Sequence, residues 1–360
     1  MEGILLSDML IKSSIKDYKL SFVDNFDKSM LKIYKNGDFI ILDKKILKLY
    51  SKQINHQKWK NNVIVIEASE NQKSFLQLAP IIDRLIKEGF RKNNNLFSIG
   101  GGIIQDITAF IASIMYRGVS WIHIPTTLLA QGDSCIGSKT SINFGKFKNQ
   151  LGNFYSPKQI IIDVNFLKTL DESDLISGLG EMAHYFLVSS RKDFLYFKND
   201  FYNAKNDLDV LKKLIIRSLE IKKSYIEIDE FDQNERQVFN YGHSFGHALE
   251  SLTNYRIPHG IAVSIGMDMS NFMSVKYGYM KDQDRQEMRA LLKNVWAGYS
   301  IDDIKLKDME DALRKDKKNE NGKLGLILSK GPGETFKTFK DLDVNFSNWL
   351  KEFFEKEFSV

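Results

Sequence analysis

The chain of 360 residues carries 51 Lys+Arg against 46 Asp+Glu, a net charge of +5, and 43% of its residues are apolar, 25 of them Phe. That length accommodates two domains of ordinary size, and this apolar content beside 27% charged residues excludes a disordered chain. A single cysteine, Cys135, excludes an internal disulfide framework and a cysteine-rich zinc module, and the lysines alternate with acids instead of forming the basic-aromatic blocks of a nucleic-acid binder.

The opening MEGILLSDMLIKSS has Glu2 where a secretory leader is basic, and Ser7 and Asp8 interrupt its apolar stretch, which predicts a cytoplasmic protein. No run approaches the roughly 20 apolar residues of a membrane span, so no membrane partner is expected. Residues 62–67 form a short β-branched run, read as a strand buried on both faces, and 73–89 follow as an amphipathic helix. Residues 96–99 read as a strand that ends at Gly100-Gly101-Gly102, 103–115 as a helix, 120–124 as a strand before Pro125, and 160–163 as a last strand. This alternation predicts a parallel sheet flanked by helices. From Ser173 onward nearly every segment reads as helix, and the change of period places a domain boundary near 160–175.

A strand that runs into Gly100-Gly101-Gly102 and then a helix presents bare backbone N–H groups at a helix N-terminus, a geometry suited to phosphate. The triplet departs from the GxGxxG fingerprint, and a plain tight turn explains it equally well. Asp106 lies in the first turns of that helix. Thr126 and Thr127 follow the next strand, where hydroxyls can reach a ligand or simply cap a helix.

Three of the six histidines, His243, His247 and His259, fall within 17 residues. Arg236, Asn240, His243 and His247 are spaced 4, 3 and 4 apart, which on one helix forms a polar stripe expensive to bury without a ligand. Gly242 and Gly246 on the neighbouring face admit a closely packed backbone. His259, between Pro258 and Gly260, is expected in a loop able to swing towards the stripe. Two imidazoles make a partial metal shell, and a catalytic divalent metal normally takes a third protein ligand. Glu181 is a candidate, but spacing alone does not separate it from several other acids. His184, three residues on, fits a ligand, an acid/base group or a buried structural residue. In the helix expected over 208–228, Lys222 falls near the inward stripe and either snorkels or anchors an anion. Ser138-Lys139-Thr140, Lys148-Asn149 and Asp316-Lys317-Lys318 are polar clusters in loop-like surroundings, suited together to a small substrate carrying several negative charges.

These residues, in this order, resemble the 3-dehydroquinate synthase family, the wider sugar phosphate cyclases. The resemblance runs from about Ile64 to about Gly331, through GGGIIQDITAFIAS, YRGVSWIHIPTTLLAQGDS, KNQLGNFYSPK, GLGEMAHYF, RQVFNYGHSFGHALE and DKKNENGKL. It implies an α/β Rossmann-like NAD-binding domain over 1–165 and an all-α metal-binding domain over 166–360, usually in a homodimer. It further implies that Glu70, Lys73, Gly100, Gly101, Gly102, Asp106, Thr126, Thr127, Asp133, Lys139 and Lys148 hold NAD, and that Glu181, His243 and His259 hold a metal, zinc or cobalt. Lys139, Asn149, Lys222, Arg236, Asn240, His247 and Lys317 or Lys318 would grip the phosphate and carboxylate of a sugar phosphate. His247 would be the acid/base group and Asp133 a positioning group, while Arg117 would reach the neighbouring subunit's site. The implied reaction is phosphate elimination and ring closure of a heptulosonate 7-phosphate with no net redox change, as in the shikimate pathway of aromatic amino acid biosynthesis. Four positions depart from the family pattern: His184 replaces a lysine, Gln105 and Ser138 replace glycines, and Ile261 replaces a glutamate. The alternatives are a cyclase acting on sedoheptulose 7-phosphate and, in a different class, a dehydrogenase of the glycerol or iron-dependent alcohol type.

Overall fold

The structure, a computed structural model, describes residues 8–54, 57–145 and 147–358. Glu2 and Ser7, on which the expectation for the opening run partly rests, lie outside the described residues. The chain divides into two compact units, one running to Leu170 and including Lys223–Phe231, the other made of Asp171–Lys222 and the chain from Asp232 onward.

The first unit contains β1 (Met9–Ile11), β2 (Tyr18–Phe22), α1 (Phe26–Ile33), β3 (Phe39–Asp43), α2 (Lys44–Leu49), α3 (Ser51–Ile54), β4 (Val63–Ile66), α4 (Phe75–Lys87), β5 (Asn95–Gly100), α5 (Gly102–Ile114), β6 (Ser120–Pro125), β7 (Ile142–Phe144), β8 (Phe147–Leu151) and β9 (Gln159–Ile162). Seven strands form one sheet in the order β1-β2-β9-β6-β5-β3-β4, parallel except at β1. Successive β3 residues serve opposite faces: Phe39 and Ile41 pack into the core that contains α4 and α5, Ile40 and Leu42 into the core that contains α1. Both faces are thus covered, as a parallel sheet requires. Val63–Ile66 corrects the expectation of a strand buried on both faces: β4 is the sheet's edge, with Val65 exposed. Lys148 and Asn149, expected in a loop, lie in β8, which pairs with β7 as a separate hairpin.

The second unit contains α6 (Glu172–Ser189), α7 (Arg191–Ala204), the first part of α8 (Leu208–Ile226), α9 (His243–Leu252), α10 (His259–Lys276), α11 (Asp282–Trp296), α12 (Leu306–Arg314), β10 (Leu324–Ser329), β11 (Thr335–Lys340) and α13 (Val344–Glu352). Helix α10 is buried along nearly its whole length, from Gly260 to Ser274. Its Asp268 accepts two hydrogen bonds from Arg285 of α11, both at 3.1 Å, and another from Arg289; Arg285 also bonds the Glu357 carboxylate at 2.8 Å. The antiparallel pair β10–β11 corrects the all-helical expectation for this half. Leu324–Ser329 is buried at every position, so its pattern shows neither the period of a helix nor that of a half-buried strand. Among the described residues no helix is long and apolar enough to cross a membrane.

Candidate active site

In the second unit, glycines bring three helices close enough for their polar residues to meet. A methyl on Gly180 of α6 would stand 2.8 Å from the Gly260 carbonyl carbon, and one on Gly260 would stand 2.7 Å from the Glu181 backbone nitrogen. Gly242 takes φ +79°, and a methyl there would stand 2.8 Å from the Met267 nitrogen of α10. Gly246 is packed somewhat less closely, with a would-be methyl 3.0 Å from Val263 Cα, so the expected close approach is found on α10. The left-handed turn at Gly242 corrects the single-helix stripe: Glu235–Asn240 is a short 3₁₀ helix, and α9 starts afresh at His243. Arg236 and Asn240 therefore precede the break, while His243 and His247 follow it. His259 also differs from expectation, since it is the first residue of α10 with Pro258 as N-cap, a position fixed by the Gly260 N–H donating to Ser177 Oγ at 3.0 Å.

These elements aim side chains at one point. Glu181 is buried, with Oε1 3.3 Å from His243 Nε2 and Oε2 3.4 Å from His259 Nε2. The other ring nitrogens are engaged elsewhere: His243 Nδ1 lies 3.2 Å from the Tyr241 carbonyl oxygen, and His259 Nδ1 lies 3.0 Å from Glu250 Oε2. His247 joins the group, because one ligand atom from each of His243, His247 and His259 lies within 4.8 Å of the others. Burial would raise the Glu181 carboxyl, but the imidazoles of His243 and His259 outweigh it and hold it well below the usual carboxylate range. The protein around His247, then His243, His259 and Lys318, push that ring well below an ordinary histidine, although part of it reaches the surface. Glu181 Oε2 is buried and has no hydrogen-bond partner. An ionised carboxylate oxygen left unpaired beside two imidazole nitrogens fits a divalent metal, which would satisfy all three donors at once.

His184 is buried next to this centre. Its Nδ1 is 3.6 Å from Glu181 Oε1, and its ring packs on Tyr185 at 3.8 Å and beside Phe239 and His243. Lys222 is buried with its Nζ 6.0 Å over the Tyr185 ring, and Tyr185 also packs on Phe239, so Lys222 and the 3₁₀ helix bearing buried Arg236 share one aromatic neighbourhood. Lys318 acts electrostatically on His247, and its loop is tied down: Lys318 Nζ pairs with Asp316 at 2.8 Å, Asn319 Oδ1 accepts from the Gly325 N–H, and Ser244 Oγ of α9 donates to the Gly325 carbonyl. Lys317 adjoins Lys318 in this loop.

The first unit gathers a second set of expected residues. Gly100 ends β5 and Gly101 is the N-cap of α5, offering no side-chain cap, so the first amides of α5 remain for a ligand. The space over Gly102 is open, with only Ser134 Oγ within 3.9 Å of a would-be Cβ. Asp106 pairs with Lys73 at 2.6 Å and accepts from the Ser141 N–H. Lys73 Nζ donates to Asn149 Oδ1 at 2.9 Å, and Asn143 Nδ2 donates to Glu70 Oε2 at 2.8 Å, beside Lys148 at 3.7 Å. Asn149, expected on the substrate, thus sits with Glu70, Lys73, Asp106 and Lys148. Thr127 Oγ1 accepts from the Ala130 N–H and caps the following turn, whereas the buried Thr126 Oγ1 has no hydrogen-bond partner. Asp133 lies in a π-helical turn (Ala130–Ser134), and Lys139 is bridged to Phe154. Gln105, one of the departures, exchanges hydrogen bonds with Ser134. Arg117 is exposed at the far end of α5 from the glycine turn, about 20 Å away at 1.5 Å per residue, so the chain does not itself bring the two together. The bare α5 amides, the open face of Gly102 and the orphaned Thr126 hydroxyl fit a dinucleotide.

Sequence reasoning missed Asn143, which joins Glu70 to Lys73, and Glu250, which holds His259. Glu250 left a signal, since it follows His247 by three residues and His243 by seven, one face of a helix. A cavity of about 190 Å³ was also missed; it lies beyond the ends of β2 and β9, lined by Tyr50, Phe166, Asp163 and their neighbours.

Comparison with known proteins gives two family matches, 3-dehydroquinate synthase N-terminal over residues 63–177 and 3-dehydroquinate synthase C-terminal over 178–319. A 3-dehydroquinate synthase of Alkaliphilus metalliredigens is 35% identical over 75% of this chain and 76% of its own length. In fold, the chain is similar to a 2-deoxy-scyllo-inosose synthase complexed with carbaglucose-6-phosphate, NAD+ and Co2+ (TM-score 0.83, 21% identity, 96% of this chain and 100% of that one). A 2-epi-5-epi-valiolone synthase from Streptomyces hygroscopicus with NAD+ and Zn2+ bound is similar to the same degree (TM-score 0.83, 22% identity, 94% and 97%), and an iron-containing alcohol dehydrogenase less so (TM-score 0.63, 14% identity, 98% and 100%).

Proposed function

The chain belongs to the 3-dehydroquinate synthase family, and from that premise we propose that it is an enzyme that cyclises a heptulosonate 7-phosphate with elimination of phosphate, dependent on NAD and a divalent metal, zinc or cobalt. The observation that carries this reading is the buried Glu181 carboxylate, flanked at 3.3 and 3.4 Å by two imidazoles whose remaining nitrogens are already engaged. A divalent metal held there would make a ring hydroxyl more acidic, and a bound NAD would supply reversible hydride chemistry, which leaves the overall reaction without net redox change.

Each part of the chain contributes to holding the reactants. Glu181, His243 and His259 bind the metal. The α5 N-terminus at Gly100, Gly101 and Gly102 receives the pyrophosphate, with Asp106, Lys73, Glu70 and Lys148 placed for the nucleotide's hydroxyls and Thr126 for a polar group on it. In the second unit Lys222, Arg236, Asn240 and Lys317 or Lys318, and in the first unit Lys139, are the groups suited to the phosphate and carboxylate of the substrate through charge-assisted hydrogen bonds. His247, whose proton affinity the surrounding protein depresses and which therefore rests neutral, is the group beside the metal ligands that accepts a proton. Asp133 positions the substrate. Exposed Arg117 is the group offered to a second copy in a homodimer.

The number of cations in this set favours a heptulosonate phosphate, which adds a carboxylate to its phosphate, over sedoheptulose 7-phosphate, which carries the phosphate alone, and the curated relative at 35% identity supports the same choice. The dehydrogenase alternative has the weaker fold likeness, a TM-score of 0.63 against 0.83, and gives no role to the cation set. The test is to incubate the purified protein with NAD, zinc and either 3-deoxy-arabino-heptulosonate 7-phosphate or sedoheptulose 7-phosphate and to follow phosphate. Release from the first alone is expected. Release from the second alone overturns the substrate assignment.

A further inference from the structure

We propose that Glu250 is a positioning residue for the metal centre: its carboxylate fixes His259 so that Nε2 faces Glu181 and His243. The inference rests on the metal reading above. Its geometric basis is independent of any bound ion, because Glu250 Oε2 lies 3.0 Å from His259 Nδ1 while His259 Nε2 lies 3.4 Å from Glu181 Oε2.

Both ring nitrogens of His259 thus face a carboxylate, one on each side. His259 keeps a third of its side chain exposed (33%) and stacks on the His247 ring at 5.7 Å, a contact that either flip of the ring preserves, whereas Glu250 is only 14% exposed. Flipping the ring would turn carbon atoms towards both Glu250 and Glu181, so the Glu250 contact selects one orientation and one tautomer, with the proton on Nδ1 and the lone pair on Nε2. His243 solves the same problem differently, with the backbone carbonyl of Tyr241 at its Nδ1. The two metal-facing imidazoles are therefore oriented by different devices, and only that of His259 carries a negative charge.

Placement in the chain gives the arrangement its rigidity. Glu250 lies on α9 two turns beyond His243, so one helix supplies a ligand and the carboxylate that orients the ligand of the next helix. Close packing at Gly246 and Gly266 fixes α9 against α10, on which His259 is the first residue. A carboxylate behind an imidazole makes the nitrogen on the other side a better donor to a cation, and loss of such partners typically weakens metal binding about 10–100-fold.

The experiment measures zinc affinity of the purified full chain by competition with a chromophoric chelator, for the wild type, Glu250→Gln and Glu250→Ala, each also with His259→Ala. Circular dichroism of the metal-free proteins checks folding, and the visible spectrum of the cobalt-loaded proteins reports coordination geometry. Glu250→Ala is expected to weaken zinc binding about 10–100-fold and to alter the cobalt spectrum. Glu250→Gln, nearly isosteric and still an acceptor, is expected to lose less. In the His259→Ala background, Glu250→Ala should have no further effect, an outcome that a merely structural role would not produce. Unchanged affinity in Glu250→Ala, or an equal loss in both backgrounds, overturns the proposal. A wild type that binds no divalent metal overturns the metal reading itself, which separates the two failures.

Discussion

Gly260→Ala tests whether helix packing assembles the metal centre. A methyl there would overlap the Ser177 carbonyl oxygen and stand 2.7 Å from the Glu181 backbone nitrogen, where ordinary contact begins at 3.4 Å. The backbones of α6 and α10 must then part by at least 0.7 Å (3.4 minus 2.7) at the level of Glu181 and His259. Overpacking of this kind costs about 1–3 kcal/mol of stability. The effect on metal binding is larger in proportion, because ligand distances tolerate only about 0.2 Å. A shift of roughly 1 Å in a catalytic constellation typically lowers activity about 100-fold. The assay pairs urea unfolding of the metal-free protein with zinc titration. Gly278→Ala is the control: its φ of +72° strains a side chain, but nothing lies within 4 Å of the new methyl, so it should lose stability and keep zinc affinity. Wild-type zinc affinity in a folded Gly260→Ala protein would refute the packing argument.

Two further variants probe the frame around the sites. Asp268→Asn leaves Arg285 and Arg289 without their buried counter-charge and should destabilise the second unit by about 3–5 kcal/mol, read as a lowered midpoint in thermal unfolding; an unchanged midpoint would show that the two guanidiniums find other partners. His123, fully buried in β6 beside Ser98 Oγ, is pushed down to about 3 by burial, so the fold keeps it neutral while the unfolded chain protonates it below about pH 6.5. Because the unfolded state then binds the extra proton, stability falls as pH drops from 6.5 to 3, by up to about 1.4 kcal/mol per pH unit. In His123→Leu that share of the acid sensitivity should vanish, so urea midpoints measured at pH 6.5 and 4.5 should differ less than in the wild type.

The sequence made the glycine turn legible because a β-branched run, three glycines and a helical run are all local signals. The histidine cluster was legible for the same reason, yet its shape was not. Spacings of 4, 3 and 4 satisfy one continuous helix, and nothing local says that Gly242 adopts a left-handed turn, which is set by the packing of α9 on α10. His259 was expected to be mobile because Pro258 and Gly260 look like loop residues, whereas Pro is equally suited to a helix start and Gly260 is there for a close approach to α6. The place of β3 between β5 and β4 depends on pairing between distant segments, which composition and period do not encode. The pair β10–β11 was hidden by a uniformly buried run, and Asn143 by having chemistry that becomes meaningful only next to Glu70 and Lys73.

The central claim, a redox-neutral cyclisation that borrows a hydride and returns it, is tested most directly by counting phosphate and NADH together over many turnovers. With 3-deoxy-arabino-heptulosonate 7-phosphate, NAD and zinc, phosphate should accumulate far beyond the enzyme concentration while NADH never exceeds one equivalent per site. NADH rising in step with turnover, or substrate consumed without phosphate release, would contradict the account.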